Sequence, residues 1–425
     1  MMAERERGVV VGMTRKRAGV WSVAALAVAS CTSKAPSVAS SEGEAESKAA
    51  FNPTAVATKL AGQLELPIDI EDPANCAVCH AAVYAEWTES MHARAHQTKD
   101  PIFAALRDFR LSLGQKIEGK CENCHSPRAQ GRFDSAAALA GVSCAACHNI
   151  EAVHSAEYAK GAKLIQIAKD NTMRSARDVP SGSSPVHGNG PALPALADGK
   201  TLCLACHGKH RNPAQVPVCT TGSELEEHAG DDTCVSCHMP HEEGPSGAVS
   251  NRERHRSHRF AGPHRAYLQD DLRLLASGVE LKVERARGAA TVEIRNRSGH
   301  AFPSGFPGRV ALVEVVGLDA NGEAVWRNFS GDPMKESPES VFNKIYVDEG
   351  GQPTMPPLAV SMARDNRLKP DEVRTLDYVL PDSVETIRAS VIYRLLPSSA
   401  AERLGLSELD LAQPVRVLTV TSGGS

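Results

Sequence analysis

The sequence predicts an α+β chain: short helices and loops over residues 67–265, then an antiparallel β-sandwich-like domain over residues 266–425. Three observations carry this reading. Ten of the 12 cysteines form five close pairs between positions 76 and 237, amid short helical stretches and Gly/Pro/Asn-rich loops, and no cysteine lies beyond them. After about Leu272 the hydrophobic period changes to two. Aromatic residues make up only 4% of the 425 residues, so something other than aromatic side chains fills part of the interior.

The length allows two or three domains of roughly 100–200 residues. Lys+Arg 47 against Asp+Glu 51 gives a formal charge of −4, so no polycation is available to hold nucleic acid. The one long apolar run lies near the N-terminus, which excludes a polytopic membrane protein. Residues 1–31 read as a lipoprotein-type signal: Arg15, Lys16 and Arg17, a short apolar run, then Val28-Ala29-Ser30-Cys31, which resembles a bacterial lipobox. In such signals the cysteine is acylated and becomes the new N-terminus; the competing reading is an ordinary signal peptide with a coincidental cysteine. Residues 32–66, rich in Ala, Ser, Glu and Lys, read as a flexible tether. The expected location is the periplasm or cell surface, lipid-anchored to a bacterial membrane.

Within the helical region, 81–106 is the best helix candidate, interrupted near Asp100-Pro101. The paired cysteines begin at 76, 121, 144, 203 and 234, so no equal unit repeats. Farther on, Val279, Leu281 and Val283 alternate with charged residues, as do Val292 and Ile294. Leu376, Tyr378 and Leu380 continue the pattern, followed by Ile387, Ala389, Val391 and Tyr393, with 415–420 as the last strand. Asn321-Gly322, between 310–318 and 324–327, is a hairpin signal because both turn positions favour φ > 0.

The pairs Cys76/Cys79, Cys121/Cys124, Cys144/Cys147, Cys203/Cys206 and Cys234/Cys237 share one spacing, and each is followed at once by a histidine: His80, His125, His148, His207 and His238. Five such hits by chance have a probability of about one in ten million. Two thiols at i and i+3 add across the vinyl groups of one haem, and the adjacent histidine reaches its iron. The reading is therefore five covalently attached haem c groups. Zinc ribbons use Cys-x-x-Cys pairs two at a time, which leaves one pair over, and do not require the following histidine. A thioredoxin-like site needs one such motif, not five. The haems would supply a core that short helices cannot make alone.

Each iron then needs a sixth ligand or keeps an open position. His92, His187 and His258 lead the candidates, followed by His264 and His154, with His300 and His210 behind them. His96, His228 and His255 read as solvated. Few methionines are placed to serve, so bis-histidine ligation and low potentials are the expectation. Arg252, Arg254, Arg256, Arg259 and Arg265 form the densest basic stretch, read as partners for haem propionates. Cys219 reads as a buried inert thiol.

Cys76-Ala-Val-Cys-His80 followed by Trp87-Thr-Glu-Ser-Met-His92-Ala is similar to the opening of the tetrahaem cytochrome of ammonia oxidisers and its multihaem relatives. The resemblance implies that His92 ligates a haem iron. Ser184-Pro-Val-His187-Gly and Arg256-Ser-His258-Arg-Phe-Ala-Gly-Pro-His264 look like distal-ligand segments of that group. Asn296-Arg-Ser-Gly-His300-Ala-Phe-Pro resembles a segment opening the β-domain of many such cytochromes. The resemblance spans roughly residues 68–330. This chain differs from the tetrahaem relative in having five motifs and an appended β-domain.

Two functions compete. Five haems among 163 residues must lie close together and would conduct electrons between quinol-linked membrane complexes or other redox proteins. Multihaem relatives instead reduce or oxidise small nitrogen or sulfur compounds at one five-coordinate haem, wired by the others. The first is the expected function, because the spare histidines suffice for every iron.

Overall fold

Each strand anticipated from the alternation forms. In this computed structural model, residues 52–154 and 160–422 are described; the signal, Cys31 and most of the tether lie outside them. The strands are β1 (Val279–Ala286), β2 (Ala289–Asn296), β3 (Val310–Leu318), β4 (Ala324–Arg327), β5 (Val373–Val379), β6 (Thr386–Arg394) and β7 (Val415–Thr421). One sheet has the order β5–β2–β1; the other runs β4–β3–β6–β7, with Val341–Phe342 also paired to β3. Every pairing in these two sheets is antiparallel.

The alternation decides which face is inward. On β2, Ala290, Val292 and Ile294 are buried while Thr291, Glu293 and Arg295 between them are less so. Val292, Ile294 and Leu376 from the first sheet share one apolar core with Val313, Val315, Val391 and Tyr393 from the second. Two sheets packed face to face over one core are a sandwich. In the β3–β4 turn only Gly322 takes the left-handed conformation, φ 82°. The loop has the anticipated bounds, and the Asp319 carboxylate caps it by accepting from the Asn321 and Glu323 amides.

The helical region is built differently. The candidate helix over 81–106 divides into Ala81–Thr88 and Pro101–Ser112. Asp100 accepts from the Ile102 and Phe103 amides, and Pro101 sits at the first turn, where its missing N–H costs nothing. Pro53–Ala61, assigned to the tether from composition, is a helix that begins where Asn52 caps the Ala55 amide. No helix among the described residues is long and apolar enough to cross a membrane.

Helical region and sandwich belong to one compact unit that begins at Asn52. Asn212 Nδ2 donates to the carbonyls of Pro356 at 2.9 Å and Ala359 at 2.7 Å, and Tyr346 Oη donates to Pro217 O at 3.0 Å. Ile102 packs against both the sandwich core and a C-terminal cluster of Leu396, Ala401, Leu406 and Ala412. Away from this seam the helical region has little apolar core of its own; a small cluster is made by Ile150, Leu193 and Ala195.

Ile294 is fully buried between the sheets, whereas Val379 is 85% exposed on the outer face of β5. Ile294→Ala is expected to cost about 2–5 kcal/mol, and Val379→Ala to stay within about 0.5 kcal/mol of wild type. Chemical denaturation followed by near-ultraviolet circular dichroism checks both.

Candidate haem site

Every motif closes one helical turn. The histidine N–H donates to the carbonyl of the first cysteine, at 2.8 Å from His80 to Cys76 and 3.1 Å from His125 to Cys121. Cys144–His148 and Cys234–His238 are themselves short helices, and His207 ends the helix Thr201–His207. Residues at i and i+3 share a helical face, so both thiols of a pair point into the same space and the histidine follows one turn on.

The rings are oriented by their second nitrogen. Nδ1–H donates to a backbone carbonyl in four motif histidines: His80 to Ser246 at 2.8 Å, His125 to Ala95 at 2.9 Å, His148 to Arg174 at 2.7 Å and His238 to Ala261 at 2.5 Å. Such a bond fixes the tautomer and leaves Nε2 with a free lone pair for a metal. Gly247 is seated on His80: a Cβ there would lie 2.8 Å from its Nδ1.

Three motif histidines face a second imidazole. Ring centroids are 6.2 Å apart for His148 and His258, 6.4 Å for His207 and His92, and 6.4 Å for His238 and His300, with interplanar angles of 27°, 39° and 15°. A first-row metal sits about 2.0–2.1 Å from an imidazole nitrogen, so two rings ligating it from opposite sides have centroids about 6.3–6.5 Å apart. The observed spacings fit one iron between each pair. Burial, reinforced by neighbouring imidazoles, holds His92 down to about 3 and His207 and His258 to about 4. The neutral form, which is the ligating form, is therefore the resident one.

The space between these rings suits the group. A continuous cavity of about 4060 Å³ is lined by all five motifs. That is about 800 Å³ for each motif, the size of an ordinary cofactor pocket. Thiols from different motifs meet inside it: Cys76 with Cys144, Cys124 with Cys206, and Cys203 with Cys234. Cys147 of the third motif also lies within electrostatic reach of Cys203 and Cys206 of the fourth. The residues present therefore fit covalently attached haem, with the attachment cysteines of different motifs adjoining.

The remaining histidines separate by their hydrogen bonds. His187 lies near His80, donates Nδ1–H to Gly188 O at 3.0 Å, and is driven toward neutrality by burial. His154 and His264 line the cavity but stand opposite no motif ring at axial spacing; His154 Nε2 is bonded to Gln166 Oε1 at 3.2 Å. Burial, with Arg309 nearby, lowers His264 to about 3. His125 joins no pair of axial spacing among the described residues; its ring stacks on Phe103 with centroids 4.0 Å apart. His210 Nε2 is bonded to Cys206 O.

Three histidines anticipated as solvated are held by the protein instead. His96 bonds Thr98 and Phe133 through its two nitrogens, His255 is buried against Glu86, and His228 lies between Asp371 and Asp232. Three of the anticipated propionate partners pair with protein carboxylates. Arg259 pairs with Glu86, Glu89 and Glu242, and Arg265 with Glu89 and Asp271. Arg254 pairs with Glu243, and Arg256 donates to the Val235 and Met239 carbonyls. Cys219 is mostly buried, and burial raises its thiol pKa. His300 is the residue that sequence reasoning ranked too low, because it lies among strands and far from any cysteine. Its only signal was the loop Asn296-Arg-Ser-Gly-His300.

Residues 75–149 match the family described as cytochrome c554 and c-prime. With the site above, this makes the chain a multihaem c-type cytochrome, an electron-transfer haem protein. A solved structure similar to it is a penta-heme cytochrome c552 from Thermochromatium tepidum, 27% identical, covering 82% of this chain and 97% of that one with a TM-score of 0.68. No curated protein matches the chain.

Replacing His258 by alanine is expected to convert one low-spin iron to high-spin, and Gln166→Ala, whose side chain bonds His154 and Glu151, to convert none. Electron paramagnetic resonance of the oxidised holoprotein distinguishes the two.

Proposed function

We propose that the chain is an exported, membrane-tethered conduit that relays electrons through five closely packed haem c groups. The cysteines of the five motifs would hold the haems, and the five motif histidines would be their proximal ligands. His92, His258 and His300 would complete three irons, and His187 the iron on His80. When bound, each haem supplies a one-electron carrier whose potential is set by its axial ligands and burial. The chain's part is to orient the imidazoles through their Nδ1–H bonds, keep them neutral, and hold the attachment edges together.

The observation that carries this reading is the meeting of thiols from different motifs. Those meetings join first to third and fourth to both second and fifth, and the electrostatic reach of Cys147 to Cys203 and Cys206 links third to fourth. A branch at the fourth site is what a relay with one input and two outlets needs. Partners would be quinol-linked membrane complexes or other redox proteins, engaged from a lipid anchor at Cys31.

His125 favours a second reading. With no imidazole at axial spacing among the described residues, its iron would be five-coordinate and open to a small nitrogen or sulfur compound, with the other four haems as its wires. Carbon monoxide separates the readings: binding to one haem per chain together with turnover of nitrite or hydroxylamine establishes the enzyme, and binding without turnover leaves a conduit.

Denaturing mass spectrometry of protein matured with haem c is expected to give five thioether-bound haems, and Cys121→Ala one fewer. Cys31→Ser is expected to move the protein from the membrane to the soluble exported fraction. Wild-type protein found wholly soluble after export would remove the anchor from this reading.

A further inference from the structure

We propose that Glu224, ion-paired with Arg367, is a positioning residue that holds His300 in place as the axial partner of His238. The inference rests on reading those two histidines as ligands of one iron. Glu224 lies in the helix Thr221–Glu227 of the helical region, whereas His300 and Arg367 come from the sandwich side. Its Oε2 accepts from the Ala301 N–H at 3.1 Å, and its Oε1 receives Arg367 at 2.7 Å. Both side chains are under 10% exposed.

Ala301 transmits the restraint. Glu224 holds the His300–Ala301 peptide by its N–H, and the carbonyl of the following peptide, Ala301 O, accepts Nδ1–H of His300 at 3.1 Å, so the carboxylate fixes the residue whose carbonyl orients the ring. The other side of His300 is pinned from the sandwich: Asn296 Nδ2 and Ser298 Oγ both donate to its carbonyl at 2.8 Å. A ligand loop clamped by one body from each direction is set only when both bodies are in place. Arg367 is itself fixed by Asp365 through two bonds of 2.8 Å and by Ser304 O at 2.7 Å. The buried carboxylate thus has a rigid counter-charge, without which its burial would be prohibitive. Sandwich docking and coordination of the fifth site are one event in this arrangement.

An ion pair between two regions could merely add stability, so the test reads coordination. Holoprotein is compared as wild type, His300→Ala, Glu224→Ala, Glu224→Gln and the Glu224→Ala/His300→Ala double variant. The readouts are electron paramagnetic resonance and carbon monoxide stoichiometry after reduction. His300→Ala is expected to gain one carbon monoxide-reactive haem per chain; no gain there overturns the ligand reading and the positioning role with it. Given that gain, Glu224→Ala is expected to gain about half of one such haem, the signature of a ligand loop brought near an even two-state balance. Glu224→Gln keeps an acceptor for the Ala301 amide and should restore wild-type stoichiometry, and the double variant should gain no more than His300→Ala alone. If Glu224→Ala melts earlier yet keeps wild-type spectra and stoichiometry, Glu224 is an ordinary structural residue and the proposal falls. Should Glu224→Ala not accumulate, Glu224→Asp, whose shorter arm cannot span both partners, takes its place: a partial gain supports the role and no gain overturns it.

Discussion

Half of this chain is folded around a volume that its own side chains do not fill. Burying apolar surface contributes roughly 25 cal/mol per Å², and a chain must bury enough of it to offset the entropy of ordering each residue. The sandwich does so with Val, Ile, Leu and Tyr side chains from two sheets. The helical region has short helices, many loops and a cavity of about 4060 Å³ where a core would stand. Its order therefore depends on what occupies that cavity, and its protein features serve that occupant: helical turns that aim two thiols together, carbonyls that take Nδ1–H, and a glycine seated against His80.

The sandwich gains a second role from the same constraint. Its docking is sealed by polar bonds as well as apolar packing, from Asn212 to Pro356 and Ala359 and from Lys344 to Thr220. Burial lowers Lys344 to about 8, with Arg367 adding to the shift. A charged seam of this kind is costly unless fully satisfied, and here Thr220, Glu224, Arg367 and Asp365 satisfy one another in sequence. Such a seam gives one docking geometry, whereas apolar contact alone tolerates sliding. A loop that has to place an imidazole 6.4 Å from another needs that single geometry.

What was legible in the sequence follows from range. The motifs were legible because thiol, thiol and histidine act within one helical turn, and the strands because a period of two is local. The split at Pro101 was legible for the same reason. Which imidazole faces which was not, since His92 and His207 are 115 positions apart in the chain and only the fold brings them together. His300 was undervalued because its signal, a loop between strands, has an ordinary structural explanation. The acids beside the arginines were not legible, because a basic run carries no information about them: Glu86 and Glu89, on and just beyond a helix some 170 residues earlier, pair with Arg259.

The meetings between motifs bear on direction of flow. On the proposed reading the fourth site is a junction, with the second and fifth at its ends. These two ends differ in kind. Around His125 the ring is backed by Phe103 and by a capped helix start, and no imidazole among the described residues stands at axial spacing. Around His238 the opposing imidazole is brought by a separate body and locked by a buried ion pair. An end with an open position suits exchange of small ligands, while an end with a clamped pair changes little in structure between oxidation states and suits outer-sphere transfer to a partner. The path from first to third to fourth site, where His148–His258 and His207–His92 are both paired, then serves either end without itself reacting. Division of labour along the chain of sites would thus arise from where spare imidazoles stop, and the sandwich marks one of those stops by supplying a ligand that the helical region lacks.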